Sequence, residues 1–150
     1  MDNLPIFLDL KDKPCLVVGG GDIAARKVGL LCRVNANITV VAPTLSATMQ
    51  SRVDAGEVNW LAAPFSTELV MNFVLAIAAT DDDDVNYQVY QHAKAHQILV
   101  NVADNPPLCD FILPSILDRS PIVVAVSSGG ESPILARQLR ARLETLIPPS

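Results

Sequence analysis

The sequence predicts an α/β fold: a Rossmann-type doubly wound parallel sheet followed by a small C-terminal strand-plus-helix segment. Three observations carry this prediction. The run Cys15-Leu16-Val17-Val18-Gly19-Gly20-Gly21-Asp22-Ile23-Ala24 is an apolar strand that ends in glycines and leads straight into an amphipathic helix. Strand-sized apolar runs then alternate with helical patterns, as parallel βα units require. After Asn105-Pro106-Pro107 the pattern changes, because a proline pair breaks regular structure.

The elements follow in order. Strands are predicted at Cys15 to Val18, Ile38 to Val41, Val58 to Leu61, Val74 to Ala79 and Ile98 to Val102. Helices are predicted between them at Ile23 to Arg33, Ser46 to Ala55, Thr67 to Asn72 and Val85 to His96. Ser66 is placed to cap the third helix, and the run Asp81 to Asp84 sits where the fourth begins, a position the helix dipole favours for acids. Beyond the proline pair, Phe111 to Leu117 is apolar but punctuated by Pro114, and Ile122 to Val126 reads as one more strand. Ser132-Pro133 opens a final helix on which Leu135, Leu139, Leu143 and Leu146 form one apolar stripe. A strand and a helix alone cannot bury both their faces. Residues 1–113 are therefore expected to form the nucleotide-binding domain, and residues 114–150 a segment that docks on a second copy as a C2 dimer.

Composition narrows the class. At 150 residues and 50% hydrophobic, the chain is long enough for one real core. No apolar run approaches the ~20 residues of a membrane helix, and Met1-Asp2-Asn3 lacks a signal-peptide start, so a cytoplasmic protein is expected. Cys15, Cys32 and Cys109 are odd in number and widely spaced, which indicates neither a disulfide framework nor a zinc knuckle. The net charge of -5 argues against nucleic acid as a partner. The charge is uneven: residues 1–112 hold seven basic and thirteen acidic side chains, whereas 113–150 hold four arginines and three acids. An anionic ligand is thus expected to meet Arg119, Arg137, Arg140 or Arg142, although solvated helix arginines explain any single one of them.

In an open parallel sheet, ligands bind beyond the carboxyl ends of the strands. Gly19 permits the tight turn there, Gly21 allows a pyrophosphate to approach the backbone at a helix N-terminus, and Ala24 packs helix on sheet. An ordinary turn is the bland explanation of the same glycines. The acid that usually holds the adenosine ribose is replaced by Ala42-Pro43-Thr44, with no arginine nearby for a 2'-phosphate, so NAD is expected over NADP. Thr80 follows the fourth strand at the same edge. Asp104, two residues beyond the fifth strand, is the strongest acid/base candidate, with a turn-capping aspartate as its equal rival. His92 and His96 are spaced i, i+4 but flank an apolar stripe, which favours a packed helix edge over a metal site. Ser127-Ser128-Gly129-Gly130 before the last helix reads either as an anion nest or as a flexible turn.

Taken together, these segments resemble the precorrin-2 dehydrogenase/sirohydrochlorin ferrochelatase module found at the N-terminus of siroheme synthases. The resemblance runs through Leu4-Pro5-Ile6-Phe7, the stretch Val18 to Lys27, Ala78-Ala79-Thr80-Asp81-Asp82, Asn101-Val102-Ala103-Asp104, Phe111-Ile112-Leu113-Pro114-Ser115, Asp118-Arg119-Ser120 and the stretch Val126 to Pro133. It implies NAD-dependent oxidation of precorrin-2 to sirohydrochlorin, then insertion of ferrous iron to give siroheme, both in one cleft of a homodimer. On that resemblance Asp104 is the catalytic residue, with Fe2+ passing near it. Asp22, Ile23, Pro43 and Thr44 contact the cofactor, alongside Gly19, Gly21 and Thr80. Arg119 and Arg137 face the tetrapyrrole carboxylates, and Ser128 is a site of phosphorylation. It also implies a longer chain, fused to a uroporphyrinogen methyltransferase. Two rival classes remain: an NAD-sensing regulatory module without catalysis, and a dimerisation scaffold that binds no nucleotide.

Overall fold

The computed structural model describes residues 1–69 and 72–149. They form two units, one of residues 6–110 and one that joins residues 1–5 to residues 111–150.

The larger unit is a five-stranded parallel sheet in the order β3-β2-β1-β4-β5, with β1 Pro14–Val18, β2 Asn37–Val41, β3 Asn59–Leu61, β4 Leu75–Ala78 and β5 Leu99–Val102. Every pairing is parallel, and Val18 aligns with Val41 on one side and with Ala78 on the other. The chain fills the sheet outward from β1 through β2 and β3, then returns to the far side of β1 with β4. This reversal creates a switch point at β1 and β4, where a doubly wound fold opens its ligand crevice.

Helices α1 Asp22–Arg33, α2 Ala47–Asp54 and α3 Asp83–Ala95 make the crossovers. Central strands covered on both faces need continuous apolar runs, and β4 is buried at every position. Leu16, Val18, Ala76, Ala78, Val89, Ala93 and Val100 share one core cluster. Each fully buried Val or Leu side chain there contributes roughly 1.5–3 kcal/mol over its exposed state. α1 buries Ala24, Ala25, Val28 and Leu31. The aspartate run has the helix-start role expected of it: Asp82 caps α3, its Oδ1 accepting from the N–H groups of Asp84 at 2.9 Å and Val85 at 3.3 Å.

The third expected helix, Thr67 to Asn72, lies partly outside the described residues, since these omit Val70 and Met71. Ser66 does receive the Glu68 N–H on its hydroxyl at 3.2 Å, but residues 67–69 form a turn. His92 and His96 stack with ring centroids 4.2 Å apart, and burial pushes His92 below the usual histidine range. No described helix is long and apolar enough to cross a membrane.

The smaller unit contains one strand more than the sequence pattern indicates. β6 Ser115–Arg119 pairs antiparallel with β7 Ile122–Val126, and α4 Pro133–Leu146 follows. Pro114 hid β6 by interrupting its apolar run. Ser132 caps α4 by accepting the Leu135 N–H at 3.3 Å, with Pro133 in the first turn as proline's fixed φ favours. Among the described residues of this unit only Leu117 and Ala136 are buried.

Candidate active site

The crevice is built from the turns at the carboxyl edge of the larger unit. Gly19 has φ +132, and a Cβ on it would collide with the Ala79 carbonyl group, so no other residue fits there without moving β4. The Gly19 N–H donates to Val41 O at 3.0 Å and the Ala79 N–H to Val18 O at 2.9 Å, which ties the glycine turn to both neighbouring strands. Gly20, with no sequence assignment of its own, is as constrained as Gly19. Its would-be Cβ lies 2.9 Å from the Ala42 side chain, and its carbonyl accepts the Ser46 N–H at 2.8 Å. The glycine turn thereby holds the Ala42-Pro43-Thr44 loop beside it.

Gly21 is the opposite case. It caps α1 with no side-chain hydrogen bond, and nothing lies within 4 Å of where its Cβ would stand. The helix N-terminus beside it is bare, with Asp22 and Ile23 exposed. Free N–H groups and the positive end of the dipole converge there, the physical basis of phosphate binding at such a turn. Pro43 and Thr44 are exposed beyond β2, and neither carries charge. Thr80 is used differently. Its Oγ1 lies 2.7 Å from Oδ1 of the buried Asn86 and accepts the Asp82 N–H at 3.2 Å, so the side chain fastens the β4–α3 turn.

Asp104 is exposed at the end of β5 and adopts φ +59, a left-handed backbone that aspartate tolerates better than most residues. The N–H of the next residue returns to Val102 O at 3.2 Å, fixing the turn that presents the carboxylate. Lys27 of α1 lies in the electrostatic field of Asp104 and Cys109. Burial pushes its ammonium below the usual lysine range, while the two acidic groups oppose that fall. Sequence reasoning gave Lys27 no role. The available signal was its i+3 spacing from the buried Ala24, which places a cation on the packed side of α1. Cys109 completes the neighbourhood, its Sγ donating to Val102 O at 3.2 Å and burial raising its pKa.

The remaining candidates lie in the smaller unit. Arg119 donates from Nε to Ile147 O at 3.1 Å and approaches Glu144 at 3.7 Å, so it closes the C-terminal end of α4. Arg140 also pairs with Glu144, at 3.2 Å. Ser128 accepts the Ser132 N–H at 2.8 Å, and Arg137 lines a cleft with Ser127 and Ser128.

Comparison with known proteins places this arrangement. Residues 6–115 match the family model described as "Putative NAD(P)-binding", and residues 119–146 match "Sirohaem biosynthesis protein central". The chain belongs to the NAD(P)-binding family of sirohaem biosynthesis. Among other members, the siroheme synthase of Nitrosococcus oceani is 57% identical over 148 residues, covering 99% of this chain and 32% of that protein. Siroheme synthase 1 of Serratia proteamaculans is 52% identical over the whole chain, again 32% of the relative. The chain therefore spans about a third of the length of these curated relatives. Among solved structures, "SirC, precorrin-2 dehydrogenase" superposes with a TM-score of 0.83 at 33% identity, over 96% of this chain and 70% of that one. The family and the bare glycine turn agree on an NAD(P)-binding Rossmann unit.

Proposed function

We propose that this chain oxidises precorrin-2 to sirohydrochlorin with NAD+ and that the same crevice then receives ferrous iron as a substrate. The observation that carries the reading is the juxtaposition of a bare dinucleotide turn at Gly21 with an exposed, conformationally fixed carboxylate at Asp104 and a half-buried Lys27 beside it. The names of the relatives and of the matching solved structure support the substrate.

Gly21, Asp22 and Ile23 hold the pyrophosphate end of the cofactor through backbone N–H groups, Gly19, whose own N–H is committed to Val41 O, shapes the turn that presents them, and Pro43 and Thr44 border the adenosine. The uncharged Pro43-Thr44 pair offers a 2'-phosphate no cation, which favours NAD+ over NADP+. When bound, the nicotinamide accepts a hydride. Oxidation also releases one proton from the macrocycle, and Asp104 is the carboxylate placed to accept it. Iron insertion requires loss of pyrrole N–H protons in turn, a second use for the same base. Lys27 keeps a cation beside Asp104, so a polycarboxylate meets mixed rather than purely negative charge.

The smaller unit supplies a homodimer contact through the exposed Leu135 and Leu139 of α4 and Ile122 of β7. Phosphorylation of Ser128 adds close to two negative charges near Arg137 and opposes an anionic substrate. The expected setting is the cytoplasm.

The direct test mixes the protein with precorrin-2 and either NAD+ or NADP+ and follows reduced cofactor by absorbance. NADH formation with little turnover of NADP+ is expected. Cofactor binding by calorimetry with no oxidation would contradict the enzymatic reading.

A further inference from the structure

We propose that Trp60, the sole tryptophan of the chain, is a positioning residue for the adenosine half of the dinucleotide and acts through the main-chain carbonyl of Ala42. Its indole Nε1 donates to that oxygen at 3.0 Å. In register Trp60 stands opposite Val40, so to reach Ala42 the ring leans forward along the strand, toward the carboxyl edge where ligands bind. Ala42 is only 3% exposed, and the carbonyl of so buried a residue needs a protein donor. Core packing does not account for the tryptophan: no position of β3 is buried, and Trp60 itself stays 36% exposed. Any sheltered indole N–H seeks an acceptor, but this one has found the residue at which β2 becomes the cofactor loop.

The loop from Ala42 to Thr44 is held from two sides. On the β3 side, the Ala42 N–H donates to Leu61 O at 3.2 Å while its carbonyl accepts the indole, so both polar groups of that residue are fixed by neighbouring residues of one strand. On the glycine-turn side, Gly20 O accepts the Ser46 N–H at 2.8 Å, and a Cβ on Gly20 would strike the Thr44 carbonyl oxygen. Pro43, between the two, has its φ locked by its own ring. Among these fastenings the indole bond is the one made by a side chain, and so the one that a substitution removes. Pro43 and Thr44 are exposed on a loop set in advance, and a preset surface spares the adenosine the cost of ordering it on binding. Trp60 therefore acts on cofactor affinity through the loop and leaves hydride transfer untouched.

This inference rests on the NAD+ reading above, and its test separates the two. In the intact chain, the single indole N–H signal in NMR is expected to shift when ADP-ribose is added and to stay in place with nicotinamide mononucleotide. Trp60→Phe keeps an aromatic ring and removes the N–H. Its Kd values for ADP-ribose and NAD+ are expected to rise together by about two- to tenfold in calorimetry, as loss of one hydrogen bond implies. At saturating NAD+ its kcat on precorrin-2 is expected to stay within about twofold of the wild type. An indole signal that ignores bound ADP-ribose overturns the positioning role, and so does an unchanged Kd or a fall in kcat that matches the loss of affinity. The indole signal needs no variant, so it decides the matter even where Trp60→Phe folds poorly. If the wild type binds ADP-ribose but does not oxidise precorrin-2, the enzymatic reading falls, and the binding data still decide the role of Trp60. A wild type that binds neither ADP-ribose nor NAD+ overturns both.

Discussion

The two units bury their residues very differently. In the larger one, β4 is buried at every position and β1 at four of five, so the sheet that carries the glycine turn is held by its own core. In the smaller one, β7 has no fully buried residue, and α4 buries only Ala136. The lesson is a division of labour. A cofactor turn needs atoms fixed to fractions of an ångström, which a dense core provides, whereas the hairpin and helix of the smaller unit leave most of their described side chains open.

The strongest way to break this contrast is within the glycine turn itself. Gly19→Ala forces a side chain to φ +132 and into the Ala79 carbonyl. Backbone strain and overpacking each cost about 1–3 kcal/mol, so a large fall in Tm is expected together with loss of cofactor binding. Gly21→Ala is the paired control. Its φ of -84 suits any residue and the space around it is empty, so Tm is expected to hold while NAD+ binds more weakly by calorimetry. Equal Tm values for the two variants would falsify the assignment of different roles to these glycines.

A second experiment turns to the open unit. Leu135→Asp combined with Leu139→Asp, at positions that are 49% and 41% exposed, is expected to convert the proposed dimer to a monomer in sedimentation. The fold of the larger unit, followed by circular dichroism, is expected to persist. A species that remains dimeric would remove this face from the contact.

The smallest effect concerns the buried end of the contrast. Burial in β1 pushes the Cys15 thiol up to about 11 from an ordinary value of 9.0. Between those values the unfolded chain has lost the proton that the folded chain keeps, so stability present below pH 9 is lost as pH rises toward 11. Lys27, lowered by burial, works in the opposite sense. Cys15→Ala is therefore expected to flatten the alkaline fall in urea midpoint, and an unaltered slope would count against a buried thiol.

Much of the fold was legible because its signals are local. The apolar runs and their boundaries, the aspartate run at α3 and the Ser132-Pro133 start of α4 each depend on neighbours within a few residues. What stayed hidden depends on partners distant in sequence. Arg119 looked available to a ligand until Glu144 and Ile147, more than a helix away, were seen to hold it. Thr80 follows a strand at the expected edge, but Asn86 and Asp82 engage its hydroxyl. Lys27 resembled any solvated helix lysine, and only the return of the chain after β5 gives it Asp104 and Cys109 as neighbours. Residues 1–5 join the C-terminal unit, an association that no sequence pattern indicates.

The central claim is that the crevice of the larger unit performs chemistry through Asp104 rather than merely holding a nucleotide. Precorrin-2 oxidation by the wild type and by Asp104→Ala, each at saturating NAD+, tests it most directly. A fall in kcat of roughly 10²–10⁴ with an unchanged Kd for NAD+ is the predicted result. Normal turnover in the variant would contradict the account.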